Sequence, residues 1–338
     1  MVAGPYRETI NLGGNREDIA RAAAILREGG LVAFPTETVY GLGADATASQ
    51  AVAGIYAAKE RPRFNPLISH LPDLEAASRE GLFNADALAL ARAFWPGPLT
   101  LVVPRAPAGS ICDLARAGLD SVALRVPAHP LAQALLRAAD RPVAAPSANR
   151  SGRISPTSAA HVLGDLDGRI DAVLDGGATQ VGLESTIVAC LDDHPRILRP
   201  GGLSRERIEA VLGRRLETAP ASDEAPVAPG MLTSHYAPRA SVRLDVREVQ
   251  AGEAVLLFGA PPFGAPPLPG LEQAAKVLDL SPSGDLTEAA TNLFGYLRAL
   301  DETGAAGIAV APVPDIGLGE AINDRLRRAA ADRGTVSG

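Results

Sequence analysis

Between residues 18 and 212, stretches with helical spacing alternate with short, almost wholly apolar runs, and this alternation limits the fold more tightly than any other feature of the chain. An apolar run of three to five residues is too short for a helix and suits a strand buried within a sheet. The pattern predicts helices over 18–28, 48–59, 131–139, 158–163 and 204–212. It predicts strands over 32–34, 99–103, 122–125, 143–145, 172–174, 186–189 and 197–198. Thr47 is placed to cap the second helix. Interleaved strands and helices define an α/β class, and several connections are too short for crossovers, so the sheet is mixed.

The alternation stops at residues 216–230, which have no apolar periodicity and three prolines and read as an extended linker. Beyond it, strands over 254–258 and 307–311 and helices over 286–300 and 321–330 form a smaller α/β unit. The expected organisation is a first domain over 1–215, a linker over 216–240 and a second domain over 241–338. A chain of 338 residues gives each domain room for a core.

Composition narrows function by exclusion. The net charge of −7 lies entirely in the second part: residues 1–215 carry 23 basic and 23 acidic side chains, and 216–338 carry 9 and 16. Neither part has the basic excess of a nonspecific nucleic-acid binder, although a local basic face on the first remains compatible with these totals. Two cysteines, Cys112 and Cys190, exclude a disulfide framework and a cysteine zinc site, and fit a reducing cytosol. No signal peptide or apolar stretch of membrane-spanning length is present.

Polar clusters fall at the ends of the expected strands. The run 30–34 leads into Phe34-Pro-Thr-Glu-Thr-Val-Tyr-Gly-Leu-Gly-Ala44, which puts hydroxyls and bare backbone where α/β proteins bind ligands. The chain has 30 arginines and two lysines, so Lys59 beside Arg61 pairs a compact charge with a planar fork. That pair suits a polyphosphate; it also fits an ordinary surface pair at a helix end. Ser147 and Asn149 in Pro146-Ser-Ala-Asn149, and the helix-start pattern Ser155-Pro-Thr157, suit a nucleotide or plain capping. Gly182-Leu-Glu-Ser-Thr-Ile187 sets a carboxylate and two hydroxyls ahead of a strand, a pattern equally consistent with a turn. Arg125 and Arg199 end strands just before prolines and fit either anion clamps or surface salt bridges. The five histidines lack zinc-ligand spacing; His70 follows an apolar run and can orient a substrate, and His194 reads as a loop residue. No nucleophile elbow, zinc-protease helix or Walker loop occurs, Gly317-Leu-Gly319 reads as a turn opening the last helix, and Trp95 reads as a core anchor.

Taken in order, these fragments resemble the YrdC-like threonylcarbamoyl-AMP synthases, in the long form with an additional C-terminal domain. Pro35-Thr-Glu-Thr-Val-Tyr-Gly41, Lys59-x-Arg61 with Asn65-Pro-Leu67, Trp95-Pro-Gly-Pro-Leu-Thr100, Pro146-Ser-Ala-Asn149, Glu184-Ser-Thr-Ile187 and Leu198-Arg-Pro-Gly201 follow the family's order. Pro229-Gly-Met231 with His235-Tyr-Ala-Pro238 resembles its interdomain lid, although Leu232-Thr-Ser234 stands where many relatives carry a basic-aromatic pair. Gly284-Asp-Leu-x-Glu-Ala-Ala290, Asn292-Leu-Phe294 and Gly317-Leu-Gly-x-Ala-Ile-Asn-Asp-Arg325 resemble its second domain.

The resemblance implies a twisted mixed sheet with a concave face, a lid, and a small Rossmann-like domain. It implies that L-threonine, bicarbonate and ATP with Mg²⁺ give threonylcarbamoyl-AMP and pyrophosphate, for transfer by downstream proteins to adenosine 37 of tRNAs reading ANN codons. Thr38, His70, Arg125 and Ser185 would hold threonine, with Ala145 lending a backbone contact. Lys59, Arg61 and Asn65 would meet the ATP phosphates, with Lys59 and Arg61 carrying transition-state charge. Ser121, Ser147, Asn149, Ser155 and Arg199 would complete the nucleotide site, and Tyr236 would reach it from the lid. An RNA-binding module and a carbamoyltransferase are the alternatives; the neutral first part and the two lone cysteines count against them.

Overall fold

The computed structural model describes residues 8–62, 65–218, 236–260 and 267–331. The first unit begins β1 (Ile10–Leu12), α1 (Arg16–Arg27), β2 (Val32–Pro35), β3 (Tyr40–Asp45), α2 (Ser49–Lys59), β4 (Ile68–His70), α3 (Leu74–Glu80) and α4 (Ala85–Phe94). It continues with β5 (Leu99–Pro104), α5 (Asp113–Arg116), β6 (Ser121–Arg125), α6 (Pro130–Ala139), β7 (Val143–Ala144) and α7 (Ala159–Leu166). It closes with β8 (Ala172–Leu174), β9 (Thr186–Ala189), β10 (Arg196–Arg199), α8 (Arg205–Leu212) and β11 (Glu217–Thr218). The second unit holds β12 (Ser241–Arg243), β13 (Ala254–Leu257), β14 (Lys276–Asp279), α9 (Leu286–Asp301), β15 (Gly307–Val310) and α10 (Gly319–Ala330).

Eleven strands form one mixed sheet in the order β1-β8-β2-β3-β7-β4-β6-β5-β9-β10-β11, and four parallel strands form a second, β12-β15-β13-β14. The expected α/β class with a mixed sheet is what the chain adopts. Several local expectations need correction. Gly41-Leu-Gly43 belongs to β3, which pairs antiparallel with β2, so residues 36–39 are the turn of a hairpin. Thr47 does not cap α2: its hydroxyl donates to Asp45, and the cap position falls to Ala48, which offers no side-chain bond. The helix expected at 158 is capped by the Ser158 hydroxyl and runs on to Leu166. Glu217 and Thr218, expected in the linker, pair with β10. Of the linker, 219–235 lies outside the described residues.

Strand alternation explains where the site forms. Leu99, Leu101 and Val103 of β5, Val122 and Leu124 of β6, and Val188 of β9 face the main core beneath α2, α4, α5, α7 and α8. On the opposite face, α1 and α6 cover β1, β8 and β2. The rest of that face carries Ile68, Val102, Ala123, Ile187 and Ala189, which cluster with Leu198. His70, Thr100 and Arg125 lie two residues along from Ile68, Val102 and Ala123, so they share this face. Strand register brings them level: His70 pairs with Arg125, and Arg125 with Thr100.

The second unit packs onto the first. Val39, Ile154 and Leu183 join the core built by α9 and α10, and each fully buried aliphatic side chain of this kind contributes about 1.5–3 kcal/mol. Gly182 has φ +74°, and a Cβ there would lie 2.5 Å from the Ala290 carbonyl oxygen, so the two backbones touch. Ion pairs Arg298–Asp165 at 2.8 Å and Arg205–Glu320 cross the same boundary.

Candidate active site

A cavity opens on the face bearing His70 and Arg125. Its walls include Arg61, His70, Arg125, Ala145, Ser147 and Ser185, with Glu184, Arg199 and Tyr236 closing one side. The site draws on the β2–β3 turn, the ends of β4, β6 and β10, and the segments after β7 and before β9.

The hairpin turn is stiffened by its own hydroxyls. Thr36 donates to the Val39 carbonyl at 2.7 Å and shares a 2.7 Å hydrogen bond with Thr38. Between them, Glu37 turns inward and pairs with Arg125 at 2.8 Å, both side chains being buried. Arg125 Nη2 also donates to Thr38 at 2.9 Å, and Nε donates to Gly97 O at 3.4 Å. Nη1 is left without a partner among the described residues, beside the cavity. Next to it, His70 is held neutral: burial, then the Arg125 charge, bring its pKa down to about 3. Its ring meets Phe34 edge-on at 6.1 Å, and Nδ1 has no hydrogen-bond partner among the described residues.

On the other wall, Ser185 shares a 2.7 Å hydrogen bond with Thr100, and Arg199 Nη2 donates to the Ser185 carbonyl at 2.8 Å. This approach depends on Gly201, where a Cβ would come within 2.4 Å of the Glu184 carbonyl oxygen. Glu184 accepts from Ser155 at 2.5 Å and from Arg325 at 2.8 Å. Burial pushes the Glu184 pKa up, but Arg325, Arg199 and the Ser155 hydroxyl outweigh it and hold it at about 2. Burial depresses the pKa of Arg199 and draws that of Arg61 down to about 10; a guanidinium is the side chain that best keeps its charge in such surroundings. Tyr236, at φ 65°, is buried against Phe294 with ring centroids 5.5 Å apart.

Of the expected site residues, Arg61, His70, Arg125, Ala145, Ser147, Ser185, Arg199 and Tyr236 line the cavity. Thr38 stands behind Arg125. Lys59 is not a wall residue: its buried Nζ donates to the backbone carbonyls of Ser147 and Asn149, tying the 146–149 loop to α2. Burial first, and then the Arg61 charge, bring the Lys59 pKa well below the lysine range. Asn149 and Ser155 lie one layer back, Asn149 donating to two carbonyls and Ser155 to Glu184. Asn65 is buried, with its Oδ1 unpartnered among the described residues. Ser121 begins β6 opposite Pro104, at the far end of the strand from Arg125, and does not line the cavity. His235 lies outside the described residues.

Sequence reasoning missed two structural charges, Glu37, the partner of Arg125, and Arg325, and left Glu184 open between a turn and a functional role. For Arg325 a signal existed. It sits among Ala321, Ile322, Leu326 and Ala329 on the buried stripe of α10, where a cation demands a partner. Arg61 Nε, Arg199 Nε, His70 Nδ1, Asn65 Oδ1 and Asn149 Oδ1 are all buried and unpartnered among the described residues. Buried polar atoms are seldom left so, and those of Arg61, Arg199 and His70 belong to walls of one cavity, which marks it as a ligand site. Its donors suit an anionic ligand. No group of three His, Cys, Asp or Glu that could hold a metal occurs among the described residues, and Glu37 and Glu184 are taken by arginines.

Comparison with known proteins gives the same outline. Residues 24–201 match the Sua5/YciO/YrdC family, described as "Telomere recombination", and residues 203–331 match the family "Threonylcarbamoyl-AMP synthase, C-terminal domain". The chain is 44% identical over 338 residues to a threonylcarbamoyl-AMP synthase of Bacillus subtilis, covering 96% of each. It is 43% identical to that of Pyrococcus abyssi, covering 92% of this chain and 94% of the relative. A crystal structure of P. abyssi Sua5 complexed with L-threonine superposes with a TM-score of 0.84 at 40% identity, over 95% of this chain and 97% of that one.

Proposed function

Because the chain belongs to the threonylcarbamoyl-AMP synthase family in its two-domain form, we propose that its cavity joins L-threonine, bicarbonate and ATP into threonylcarbamoyl-AMP, releasing pyrophosphate. The observation that carries this reading is the division of the cavity into two anion-binding walls. Arg125 stands beside a neutral imidazole on one wall, and Arg61 and Arg199 carry charge with unpartnered Nε atoms on the other.

On the first wall, Arg125 Nη1 meets the threonine carboxylate, and Glu37 and Thr38 hold the guanidinium in place from behind. A lysine would not fill this role, since it lacks a planar fork to divide between the protein and the ligand. His70, being neutral, does not repel the ammonium group of the incoming amino acid. Ile68 and Ala145 supply apolar surface for the threonine methyl. On the second wall, Arg61 and Arg199 meet the nucleotide phosphates, and Ser147 also lines the cavity.

The chemistry asks for positioning more than for a protein nucleophile. The threonine amine, once deprotonated by solvent, attacks the carbon of bicarbonate; a C–O bond breaks, and the departing hydroxide takes up the amine proton and leaves as water, giving a carbamate. A carbamate oxygen then attacks the α-phosphorus of ATP, the bond to the β-phosphate oxygen breaks, and pyrophosphate departs with the electron pair. Preorganised cations beside the phosphorus lower that barrier because they need no rearrangement as charge develops. Mg²⁺ enters as the counter-ion of ATP, since the described residues do not form a cage for it. Tyr236 closes the cavity toward the second domain, keeping water from a product that hydrolyses readily. The activated threonylcarbamoyl group then passes to transferases acting on tRNA.

Incubating the protein with ATP, Mg²⁺, threonine and carbon-labelled bicarbonate tests this. Mass spectrometry should show label in a threonylcarbamoyl adenylate, formed only with all three substrates. AMP or ADP without a labelled adenylate would sink the proposal.

A further inference from the structure

Arg325 of the second domain reaches Glu184 on the wall of the first domain's cavity, and it is completely buried. Its Nε donates to Glu184 at 2.8 Å and its Nη2 to the Pro200 carbonyl at 3.0 Å. Its Nη1 donates to Asp324 at 2.5 Å, and the guanidinium lies over the Tyr236 ring, 5.1 Å from the centroid. One residue of α10 thus touches the carboxylate on the wall, the residue after Arg199, and the aromatic closure.

We propose that Arg325 is a positioning residue: it occupies Glu184 so that this carboxylate does not pair with Arg199, leaving the Arg199 guanidinium to the nucleotide phosphates. The inference deepens the function proposed above and rests on its assignment of Arg199 to ATP.

The argument is one of competition for a buried charge. Glu184 is 6% exposed and lies in the field of two guanidiniums, Arg325 and Arg199. A buried carboxylate takes whichever cation can reach it, because an unpaired one is too costly to keep. At present its two oxygens go to Arg325 and Ser155. Arg199 therefore spends only Nη2 on protein, donating to the carbonyl and hydroxyl oxygens of Ser185, and its Nε has no partner among the described residues. Without Arg325, the other guanidinium in whose field Glu184 lies is Arg199. A Glu184–Arg199 pair would cancel the charge that faces the nucleotide and pull the guanidinium toward the protein. The second domain then does more than stabilise the first: it supplies the counter-ion that keeps the nucleotide wall cationic.

The test measures ATP and threonine dissociation constants by direct titration of the full chain, so that binding is read without turnover. Arg325→Gln should weaken ATP about tenfold or more while leaving threonine within about threefold. Arg325→Lys, which keeps a cation beside Glu184, should stay within about threefold of the parent for ATP. The double variant Arg325→Gln/Glu184→Gln should recover most of the lost ATP affinity, because the competing carboxylate is gone. The unchanged threonine affinity of Arg325→Gln separates this role from a merely structural clamp, whose loss would weaken both ligands. Equal ATP affinity in Arg325→Gln and the parent, or a loss that Glu184→Gln does not relieve, overturns the inference. If Arg325→Gln fails to fold, Arg325→Lys decides: affinity near the parent's supports the inference, and a tenfold loss overturns it. A parent protein that binds no ATP would instead overturn the proposed function.

Discussion

Glu37→Gln separates the two demands made on Arg125. The pair is buried, with Glu37 6% and Arg125 4% exposed, and its Nη2–Oε1 distance is 2.8 Å. Glu37 Oε2 also accepts from the Ala128 N–H at 3.0 Å, so both carboxylate oxygens are in use. Glutamine is nearly isosteric but has one acceptor for two donors, and it removes the charge that offsets Arg125. Breaking a buried pair costs about 3–5 kcal/mol, and retaining one hydrogen bond returns about 1 kcal/mol of that, leaving about 2–4 kcal/mol. The protein without threonine should lose this much in urea unfolding. Threonine brings a carboxylate to the same guanidinium, so saturating threonine should stabilise the variant more than the parent, narrowing the gap by about 1–2 kcal/mol. Unfolding curves that coincide without ligand would refute the energetic reasoning. A gap that threonine leaves unchanged would refute the assignment of Arg125 to the threonine carboxylate.

Arg61→Ala should lower turnover by about 10²–10³ while changing the threonine dissociation constant less than about threefold, as steady-state kinetics with a threonine titration would show; unchanged turnover would remove Arg61 from the chemistry. Acid should destabilise the fold through His70: its pKa falls from 6.5 unfolded to about 3 folded, so stability is full above pH 6.5 and declines as pH drops toward 3. The slope from this one group approaches about 1.4 kcal/mol per pH unit, and although His129 and His161 also shift downward through burial, His70→Asn should flatten the profile by nearly one proton. Gly182→Ala, forcing a Cβ to 2.5 Å from the Thr291 Cα at φ +74°, should cost about 2–4 kcal/mol in thermal unfolding by prising the two domains apart, and an unaltered melting curve would contradict the contact.

The fold was legible where apolar runs were dense and bounded by breakers. Strands β8 and β9 lie where the pattern set them, because Ala172–Leu174 and Thr186–Ala189 are apolar or β-branched and flanked by turn residues. Strand β3 was lost because two glycines in six residues read as bare backbone at a strand end, although in the sheet they carry strand backbone opposite Phe34 and Val32. The alanine-rich α3 and α4 gave no clear periodicity. In the site, motif residues at strand ends were visible, since polar side chains after an apolar run stand out. Their partners were not, because a salt bridge joins residues such as Glu37 and Arg125 that the chain separates by 88 positions. For Lys59 the charge was legible but not its geometry: at the end of α2 its Nζ donates to the 146–149 backbone.

Pyrophosphate release tests the central claim most directly, measured with ATP and Mg²⁺ while threonine, serine and bicarbonate are added or withheld in turn. Release that needs both bicarbonate and threonine, and falls when serine replaces threonine, is the result that the two-walled cavity predicts. Release indifferent to the amino acid, or none under any combination, would contradict it.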